Sequence, residues 1–462
     1  MGGDFQKVSG SFRDPSSFIF VYRDQLYRQV NLSCKDDYDL LMGSGLYADL
    51  VKQGSLVDHK EAPDIPLASD AGYKIIQPAP IKFISFPYEW SFSQLKDAAL
   101  LTLDIQQSAL KHGMVLKDAS AYNIQFDKGH PVLIDTLSFT RYIDNQPWVA
   151  YRQFCQHFLA PLALMSIKDA RINKLSQVFI DGVPLDLASR LLPKYILRNP
   201  GIFMHLHLQA LSQKMVQEKA SQPARRAYTV KRSALIELCD HLRRTIQKLA
   251  WKPGGTDWAN YYQCTNYSDP SFKFKADFIK QAVADLRPKM IWDLGANTGF
   301  FSKNCTPDKD CLVISSDYDP GAVEINYLDC KATSTANVLP LVIDLTNPSP
   351  SIGWENEERS SFLDRGPADM VFALALVHHL AISNNLPLEK IRDLLARIGS
   401  SLVIEFVPKE DSQVKRLLSS RDDIFSDYTL EKFMQVFLKK FTIQRQELIP
   451  GSVRQIFLMK RK

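Results

Sequence analysis

The sequence predicts an α/β protein of two domains, and three observations support that fold class. The chain has 462 residues, more than one ordinary hydrophobic core organises. Across 290–407, short apolar runs alternate with helical segments, and several runs end in an acidic residue. Such runs are typical of a doubly wound sheet that is covered on both faces. The first half instead combines hairpin patterns with one long helical pattern, which predicts an α+β domain.

These patterns place an α+β domain over 1–212, a basic helical linker over 213–254 and the α/β domain over 255–462. The stretch 214–244 carries eight Lys and Arg residues and few acids. We favour a solvated linker there, and a docking strip for an anionic partner is the alternative.

Composition excludes several classes of protein. The hydrophobic share of 45% and the charged share of 23% are those of a globular protein. The longest apolar stretch, near 372–382, is about half of a membrane span, so no transmembrane helix is predicted. Seven scattered cysteines without a C-x-x-C pair favour reduced thiols and the cytoplasm. A net charge of +5 does not by itself indicate a nucleic-acid partner.

The segment Met290–Phe301 reads as a buried strand, a glycine-rich turn and the start of a helix. Glycines let the backbone turn tightly and approach a ligand, and the helix start offers unpaired N–H groups. The pattern is D-x-G-x-N-x-G, not the G-x-G-x-x-G of dinucleotide sites. Its leading carboxylate would repel a pyrophosphate and suits a cationic ligand that carries an amine. An ordinary strand–turn–helix without a ligand is the alternative.

Three more signals follow in order along the chain. The stretches 311–317 and 338–345 read as strands that end at Asp317 and near Asp344, and 369–380 reads as a strand that runs into His378 and His379. Together with the glycine turn, these motifs resemble class I S-adenosylmethionine (SAM) methyltransferases over about residues 255–462. The resemblance implies a Rossmann-like fold closed by an antiparallel pair, predicted at 441–448 and 454–459.

The resemblance also implies a cofactor site for SAM. In this family the acid before the glycines faces the methionine end of the cofactor, the next acid holds the ribose, and a third contacts the adenine. The site residues expected here are therefore Asp293, Gly295, Asn297, Gly299, Asp317 and Asp344. Asp319 is a second candidate for the ribose.

The histidine pair is the best candidate for a general base in this half of the chain, because histidine titrates near neutral pH. His378 and His379 are the candidate general base, and a purely structural role for them is equally open. Glu405, at the end of the next strand, is a lesser candidate. Four aromatic residues ahead of the glycine turn form a lid over the cofactor or simply pack: Trp258, Tyr261, Tyr262 and Tyr267.

The first half contains a D-x-x-x-x-N motif, Asp118 to Asn123, followed by an apolar strand that ends at Asp135. It resembles the catalytic loop of protein-kinase-like and aminoglycoside-phosphotransferase-like folds. That resemblance implies a catalytic Asp118, with Asn123 and Asp135 holding the magnesium of Mg-ATP. The chain departs from the pattern in three ways: it has no glycine-rich phosphate loop, Lys117 precedes the aspartate without the usual histidine, and Arg28 stands where a lysine is expected.

Three interpretations of this half therefore stay open: a kinase-like fold without that activity, a working phosphotransferase, or an unrelated α+β domain in which Asp118 and Asn123 cap turns. The upstream pattern predicts a hairpin over 18–30, a helix over 37–51, a strand over 83–86, and a helix over 91–112 with Ser91 as its N-cap.

The expected function is SAM-dependent methyl transfer to an oxygen or nitrogen atom of an unidentified acceptor, for which a small molecule is favoured over nucleic acid and a protein stays open. The whole chain also resembles bacterial methyltransferase-like proteins associated with nodulation. Two alternatives belong to other classes: a bifunctional protein with an active phosphotransferase half, and a non-catalytic SAM-binding scaffold.

Overall fold

A computed structural model describes residues 5–212, 230–253, 269–306, 308–419 and 422–462. The chain divides into two compact units. The first comprises residues 1–251 together with 351–359, and the second comprises 252–350 and 360–462. The aromatic residues predicted as a lid, and the part of the basic linker from 213 to 229, lie outside the described residues.

The first unit contains an antiparallel five-stranded sheet in the order β1-β2-β3-β5-β4. The predicted hairpin is confirmed, and its turn uses Arg23 and Asp24 at φ 48° and 60°. The strands are β1 Gln6–Lys7, β2 Ser17–Tyr22, β3 Gln25–Asn31, β4 His59–Glu61 and β5 Gly72–Pro78. The predicted helix over 37–51 forms two helices, Lys35–Gly43 and Leu46–Lys52, because the chain turns at Gly45 with φ 86°.

The long helix of the first unit spans Phe92–Lys111, and its predicted cap is confirmed. The Ser91 hydroxyl accepts a hydrogen bond from the backbone N–H of Gln94, and the backbone N–H of Ser91 donates one to the Gln94 side-chain oxygen. The predicted strand over 83–86 is wrong. There the backbone N–H and C=O of Ser85 bond to the side chain of Gln125, at 2.8 and 2.9 Å, so a side chain replaces a neighbouring strand.

After this helix come four short strands, which pair as β6–β9 and β7–β8: β6 Met114–Leu116, β7 Ile124–Asp127, β8 His130–Leu133 and β9 Phe139–Arg141. A helical region follows, with helices Tyr151–Phe154, Ala160–Ile167, Leu175–Val178, Leu185–Leu191 and Pro200–Ile202, and π-helical segments Cys155–Leu159 and Phe203–Leu208.

The described part of the predicted linker is a helix that belongs to the first unit. Helix Arg232–Lys248 packs along the helix Phe92–Lys111. Gln107 donates a hydrogen bond to Asp240 at 2.6 Å, and Lys96 donates to the backbone carbonyls at the end of the helix Arg232–Lys248. The first unit therefore extends to residue 251, beyond the predicted boundary at 212.

The second unit is built on a seven-stranded sheet in the order β12-β11-β10-β13-β14-β16-β15. All neighbours are parallel except β16, which is antiparallel to β14 and β15. This is the doubly wound sheet with an antiparallel closing pair that the sequence predicts. The strands are β10 Met290–Leu294, β11 Leu312–Asp317, β12 Val338–Val342, β13 Ala368–Ala373, β14 Gly399–Phe406, β15 Phe441–Leu448 and β16 Gln455–Arg461.

The central strands of this sheet are buried on both faces, as their unbroken apolar runs predict. The helices of this unit are Asp269–Leu286, Phe300–Asn304, Pro320–Ala332, Leu388–Ile398, Ser412–Leu418 and Leu430–Phe437, with a π-helical segment His379–Ser383. In the described part of the chain, six cysteines are buried free thiols. None of the described helices is both long and apolar enough to cross a membrane.

Candidate cofactor and acceptor site

The second unit has a cavity of 430 Å³ at the carboxyl ends of its parallel strands. That volume lies in the range of roughly 300–1,000 Å³ typical of small-molecule sites. Ligands bind at this edge of open α/β sheets because the strand order reverses there. Four of the predicted cofactor residues line the cavity, namely Gly295, Asn297, Asp317 and Asp344, and His379 lines it as well.

The glycine turn connects β10 to the helix Phe300–Asn304 and forms part of the cavity wall. Gly295, Asn297 and Gly299 have φ values of 70°, 53° and 74°, so the turn depends on left-handed conformations. The two glycines differ in what surrounds them. A Cβ on Gly295 would lie 3.2 Å from the Leu376 side chain, whereas a Cβ on Gly299 would lie 2.4 Å from the buried amide of Asn326. Gly299 therefore serves close packing and is not part of the described cavity wall.

Asp317 ends β11 and is held by backbone N–H groups. Oδ2 accepts from Asn297 at 2.8 Å, and Oδ1 accepts from Asp319 at 3.0 Å. Each oxygen keeps acceptor capacity, because a carboxylate oxygen has two lone-pair sites. Burial raises the pKa of Asp317 to about 6. The neighbouring Asp319 caps the helix Pro320–Ala332, and within the described structure its buried Oδ2 has no hydrogen-bond partner.

Asp344 lies just after the end of β12, lines the cavity and is half-buried. Its Oδ1 accepts from both the backbone N–H and the hydroxyl of Thr346, at 2.8 and 2.7 Å. These bonds fix the carboxylate while its Oδ2 is left to other donors. Asp317 and Asp344 thus present acceptor groups from neighbouring strand ends, as the sequence predicts.

Asp293 lies behind the described cavity wall. It is 2% exposed, and its Oδ2 accepts from the Ser302 hydroxyl at 2.6 Å. Burial raises the pKa of Asp293 to about 6. The sequence predicts Asp293 as a residue that contacts the cofactor, but it is not among the residues that line the cavity. Its carboxylate can act on a ligand only through its charge.

The two histidines differ in position. β13 ends at Ala373, the chain turns at Ala375 with φ 48°, and the π-helical segment begins at His379, so the pair does not lie in a strand. The rings lie 4.2 Å apart between centroids. His379 lines the cavity, whereas His378 is 2% exposed and its Nδ1 has no partner in the described structure.

Burial, together with the smaller effect of the positive charge of Arg454, lowers the pKa of His379 to about 4. Burial also holds the pKa of His378 well below its ordinary value. Both rings are therefore neutral at neutral pH. A neutral imidazole accepts a hydrogen bond or a proton, although a pKa near 4 makes His379 a weak base.

Several lining residues were not predicted from the sequence. Tyr318 directly follows Asp317, and Thr346 lies two residues after Asp344. Both could therefore have been predicted from the motifs. Ser383, Asn384 and Leu417 line the same cavity, and no pattern in the sequence marks them. They reach the wall because a π-helical segment and the helix Ser412–Leu418 fold over the strand ends.

The motif of the first unit is also assembled, but its groups are already paired. Arg28 of β3 forms an ion pair with Asp135, and Ser138 donates to Asp135 Oδ2 at 2.5 Å. Burial favours a raised pKa for Asp135, but the charge of Arg28 and the Ser138 bond hold it below its ordinary value. Burial raises the pKa of Asp118, which receives a bond from Asn123.

The three predicted residues of the first unit therefore lie together, and their side chains are already bonded to other groups of the protein. Asn123 also donates to Ser138 at 3.3 Å. The guanidinium of Arg359 lies 4.7 Å from the ring of Tyr122, inside the motif. No group of three His, Cys, Asp or Glu side chains suited to a metal ion occurs in the described residues.

The sheet order and the closing antiparallel strand give the second unit the class I methyltransferase fold. The whole chain belongs to the family of the nodulation protein NoeA. It is 36% identical over 460 residues to Nodulation protein NoeA of Rhizobium meliloti (strain 1021), covering 98% of this chain and 96% of that protein. No family model matches the sequence.

Solved structures with a similar fold have low sequence identity. The N-methyltransferase NodS from Bradyrhizobium japonicum WM9 is 11% identical, with 42% of this chain and 98% of NodS covered and a TM-score of 0.31. The bifunctional kinase-methyltransferase WbdD is 13% identical, with 47% of this chain and 45% of WbdD covered and a TM-score of 0.30.

Proposed function

We propose that the second unit binds SAM in the 430 Å³ cavity and transfers its methyl group to an oxygen or nitrogen atom of a small molecule. One observation carries the proposal: the ends of three neighbouring strands bring Gly295 and Asn297, Asp317, and Asp344 to a single cavity that His379 also lines. The family relationship gives no substrate for this chain, so the acceptor is argued from the cavity itself.

The carboxylates and the glycine turn of the cavity suit the parts of SAM. The Asp317 carboxylate is oriented by two backbone N–H groups and has acceptor capacity left for a ribose diol. Asp344, fixed by Thr346, suits an amino group such as that of adenine. Gly295 lets the backbone approach the ligand, and Asp293 adds negative charge behind the wall for a cationic ligand.

When bound, SAM supplies an electrophilic methyl carbon on a cationic sulfur. The acceptor oxygen or nitrogen would form the new bond to that carbon as the carbon–sulfur bond breaks, its proton would be lost to His379 or to solvent, and S-adenosylhomocysteine (SAH) would leave. The residues of the chain bind, align and exclude water. His379 accepts a hydrogen bond from the acceptor O–H or N–H, and His378 supports the His379 ring from behind.

The acceptor end of the cavity is lined by uncharged side chains. Beside His379 lie Leu380, Ser383, Asn384 and Leu417. A phosphate or carboxylate at the reacting position would find no cationic side chain among these lining groups. We therefore infer that the methylated position is electrically neutral, a hydroxyl or an uncharged nitrogen, on a molecule small enough to share the cavity with the cofactor.

The contacts of the first unit argue against the alternative of an active phosphotransferase. Magnesium would need the Asp135 carboxylate, and Arg28 together with Ser138 already engages both of its oxygens. Asn123, the second predicted magnesium ligand, faces the same serine. Asp118, Asn123 and Asp135 stay predictions for Mg-ATP, and the contacts argue against them.

Calorimetric titration of the full chain with SAH tests the cofactor site. We expect one site per chain, and we expect Asp317→Ala to weaken the affinity by roughly 10–100-fold because charge-assisted hydrogen bonds are lost. Asp329→Ala is the matched control, since that carboxylate is half-exposed and pairs with Lys303 on the same unit's surface. No binding by the wild type, or equal binding by Asp317→Ala, contradicts the assignment.

A second experiment separates an enzyme from a SAM-binding scaffold. SAM carrying a tritiated methyl group is incubated with the protein and a bacterial extract freed of macromolecules. We expect label in a small molecule, and His379→Ala should bind SAH normally while transferring less label. SAH binding without any transfer by the wild type favours the scaffold.

A further inference from the structure

The second unit contains a buried network of four charged side chains that the cofactor site does not use. Lys275, Glu405, Asp411 and Arg454, here called the Glu405 network, are at most 8% exposed. Lys275 Nζ lies 2.5 Å from Glu405 Oε2, and Arg454 Nη1 lies 3.3 Å from Glu405 Oε1. Arg454 also binds Asp411 through two nitrogens, at 2.7 and 3.0 Å.

Such a network is a costly way to fill a protein core. Removing charges from water opposes folding, and apolar residues of similar size often stabilise as well or better. Its four members come from four different elements: the helix Asp269–Leu286, the end of β14, the start of the helix Ser412–Leu418, and the β15–β16 connection. Such an arrangement specifies the relative positions of these four elements more than it adds stability.

Glu405 holds the backbone of one wall of the cavity. Its Oε2 accepts a hydrogen bond from the backbone N–H of Ala375 at 3.0 Å. Ala375 has φ 48°, a left-handed conformation that a residue with a Cβ adopts at a cost. The carbonyl of the next residue, Leu376, accepts a hydrogen bond from the backbone N–H of His379 at 3.0 Å, which closes a turn directly before the π-helical segment. The bond to Glu405 therefore stabilises the turn that sets the position of His379.

Asp411 holds the opposite wall. Its Oδ1 accepts the backbone N–H of Gln413 at 2.9 Å and caps the helix Ser412–Leu418. Leu417 of that helix lines the cavity. Arg454 contacts both Asp411 and Glu405, so one guanidinium connects the two walls.

We propose that the Glu405 network is the positioning device for the acceptor end of the cavity, fixing the Ala375 turn and the Leu417 helix relative to each other. This inference rests on the proposed function, because it assigns the acceptor to that end. Glu405 and Arg454 act through the backbone and are positioning residues.

Two double variants isolate the bond to Ala375. Lys275→Met with Glu405→Gln removes the ion pair and keeps a carbonyl oxygen for the Ala375 N–H. Lys275→Met with Glu405→Leu removes the same two charges and the acceptor as well. Arg454 keeps its pair with Asp411 in both. Hydrogen exchange of the peptide 374–384 is measured by mass spectrometry, together with the melting temperature.

We expect exchange in 374–384 to be at least about tenfold faster in the Leu variant than in the Gln variant, because one charge-free hydrogen bond to a strained turn is lost. Equal exchange of this peptide in the two variants would overturn the proposal.

A single substitution covers the case in which the double variants do not fold. Asp411→Asn keeps a helix cap and weakens the pair with Arg454. Exchange should then rise in 374–384 and in 412–418 together. Lys409→Ala, which breaks the partly exposed Lys409–Asp423 pair nearby, is the control and should change neither. A rise confined to 412–418 contradicts a connection between the walls.

These readings do not depend on the proposed reaction. The exchange measurements need no ligand, so they report on the network even if the wild type fails to bind SAH. Failure of SAH binding by the wild type refutes the proposed function, whereas normal SAH binding with identical exchange in all variants refutes only the network's positioning role.

Discussion

The two units place acids at comparable points of the chain, just after short buried strands, yet only the second unit leaves them accessible. Asp317 and Asp344 line a cavity and are oriented by backbone N–H groups and a hydroxyl. Asp135 in the first unit is engaged by Arg28 and Ser138. A motif in a sequence thus predicts where a carboxylate lies, and its nearest partner decides whether a ligand can use it.

The largest expected effect contrasts two glycines of similar conformation, one in each unit. Gly299 and Gly54 have φ values of 74° and 69°, but a Cβ on Gly299 meets the Asn326 side chain, and a Cβ on Gly54 meets nothing within 4 Å. We expect Gly299→Ala to lower the free energy of unfolding by about 3 kcal/mol or more, since strain and overpacking add. Gly54→Ala should cost about 1 kcal/mol.

Chemical denaturation followed by circular dichroism and tryptophan fluorescence measures both changes. Equal costs at the two glycines would mean that Asn326 moves aside, and the packing role assigned to Gly299 would then be wrong.

A comparable effect is expected when the pair in the first unit is broken. Arg28→Ala leaves the Asp135 carboxylate without its cation, and we expect a loss of about 3 kcal/mol in the free energy of unfolding. Because Arg28 holds the folded-state pKa of Asp135 below its ordinary value, the pair stabilises above the ordinary aspartate pKa of about 4 and loses its contribution as pH falls through the lowered value.

The difference in stability between wild type and Arg28→Ala should therefore be full at pH 7 and shrink below about pH 4. Denaturant titrations at several pH values measure it. A difference that does not change with pH would show that Arg28 acts through packing and not through its charge.

A smaller effect distinguishes the charges of the second unit. Burial raises the pKa of Asp293 and of Asp317 to about 6, so both carboxylates become protonated between pH 7 and pH 5. SAM carries a cationic sulfur and SAH does not. We expect the affinity for SAM to fall by roughly three- to tenfold relative to that for SAH over this range, as the attraction of each charge is lost.

Calorimetry at pH 7.5, 6 and 5 measures the ratio of the two affinities, and SAH serves as the matched neutral ligand. A constant ratio would contradict an electrostatic role for these acids at the sulfur.

The sequence predicted the second unit well for physical reasons. Parallel strands buried on both faces give unbroken apolar runs, so the strands that end at Asp317 and near Asp344 could be placed closely. Because the carboxyl ends of such strands share one edge, Asp317 and Asp344 were expected to converge. Ser91 could be predicted as a cap because a serine at the start of a long helical pattern is a local signal.

What the sequence did not reveal depends on partners far along the chain. Gly299 packs on Asn326, and Asp293 is covered by Ser302, so neither lines the cavity directly. Arg28 reaches Asp135 across 107 positions. The 83–86 segment has the alternation of a strand, yet its hydrogen bonds go to the Gln125 side chain. Residue types alone do not determine such pairings.

The most direct test of the central claim is a crystal structure of the full chain grown with SAH. We predict that SAH occupies the cavity of the second unit, with its ribose hydroxyls on Asp317, its adenine beside Asp344 and its sulfur toward His379. SAH bound elsewhere, or in this cavity with its ribose away from Asp317, would contradict the assignment of the site.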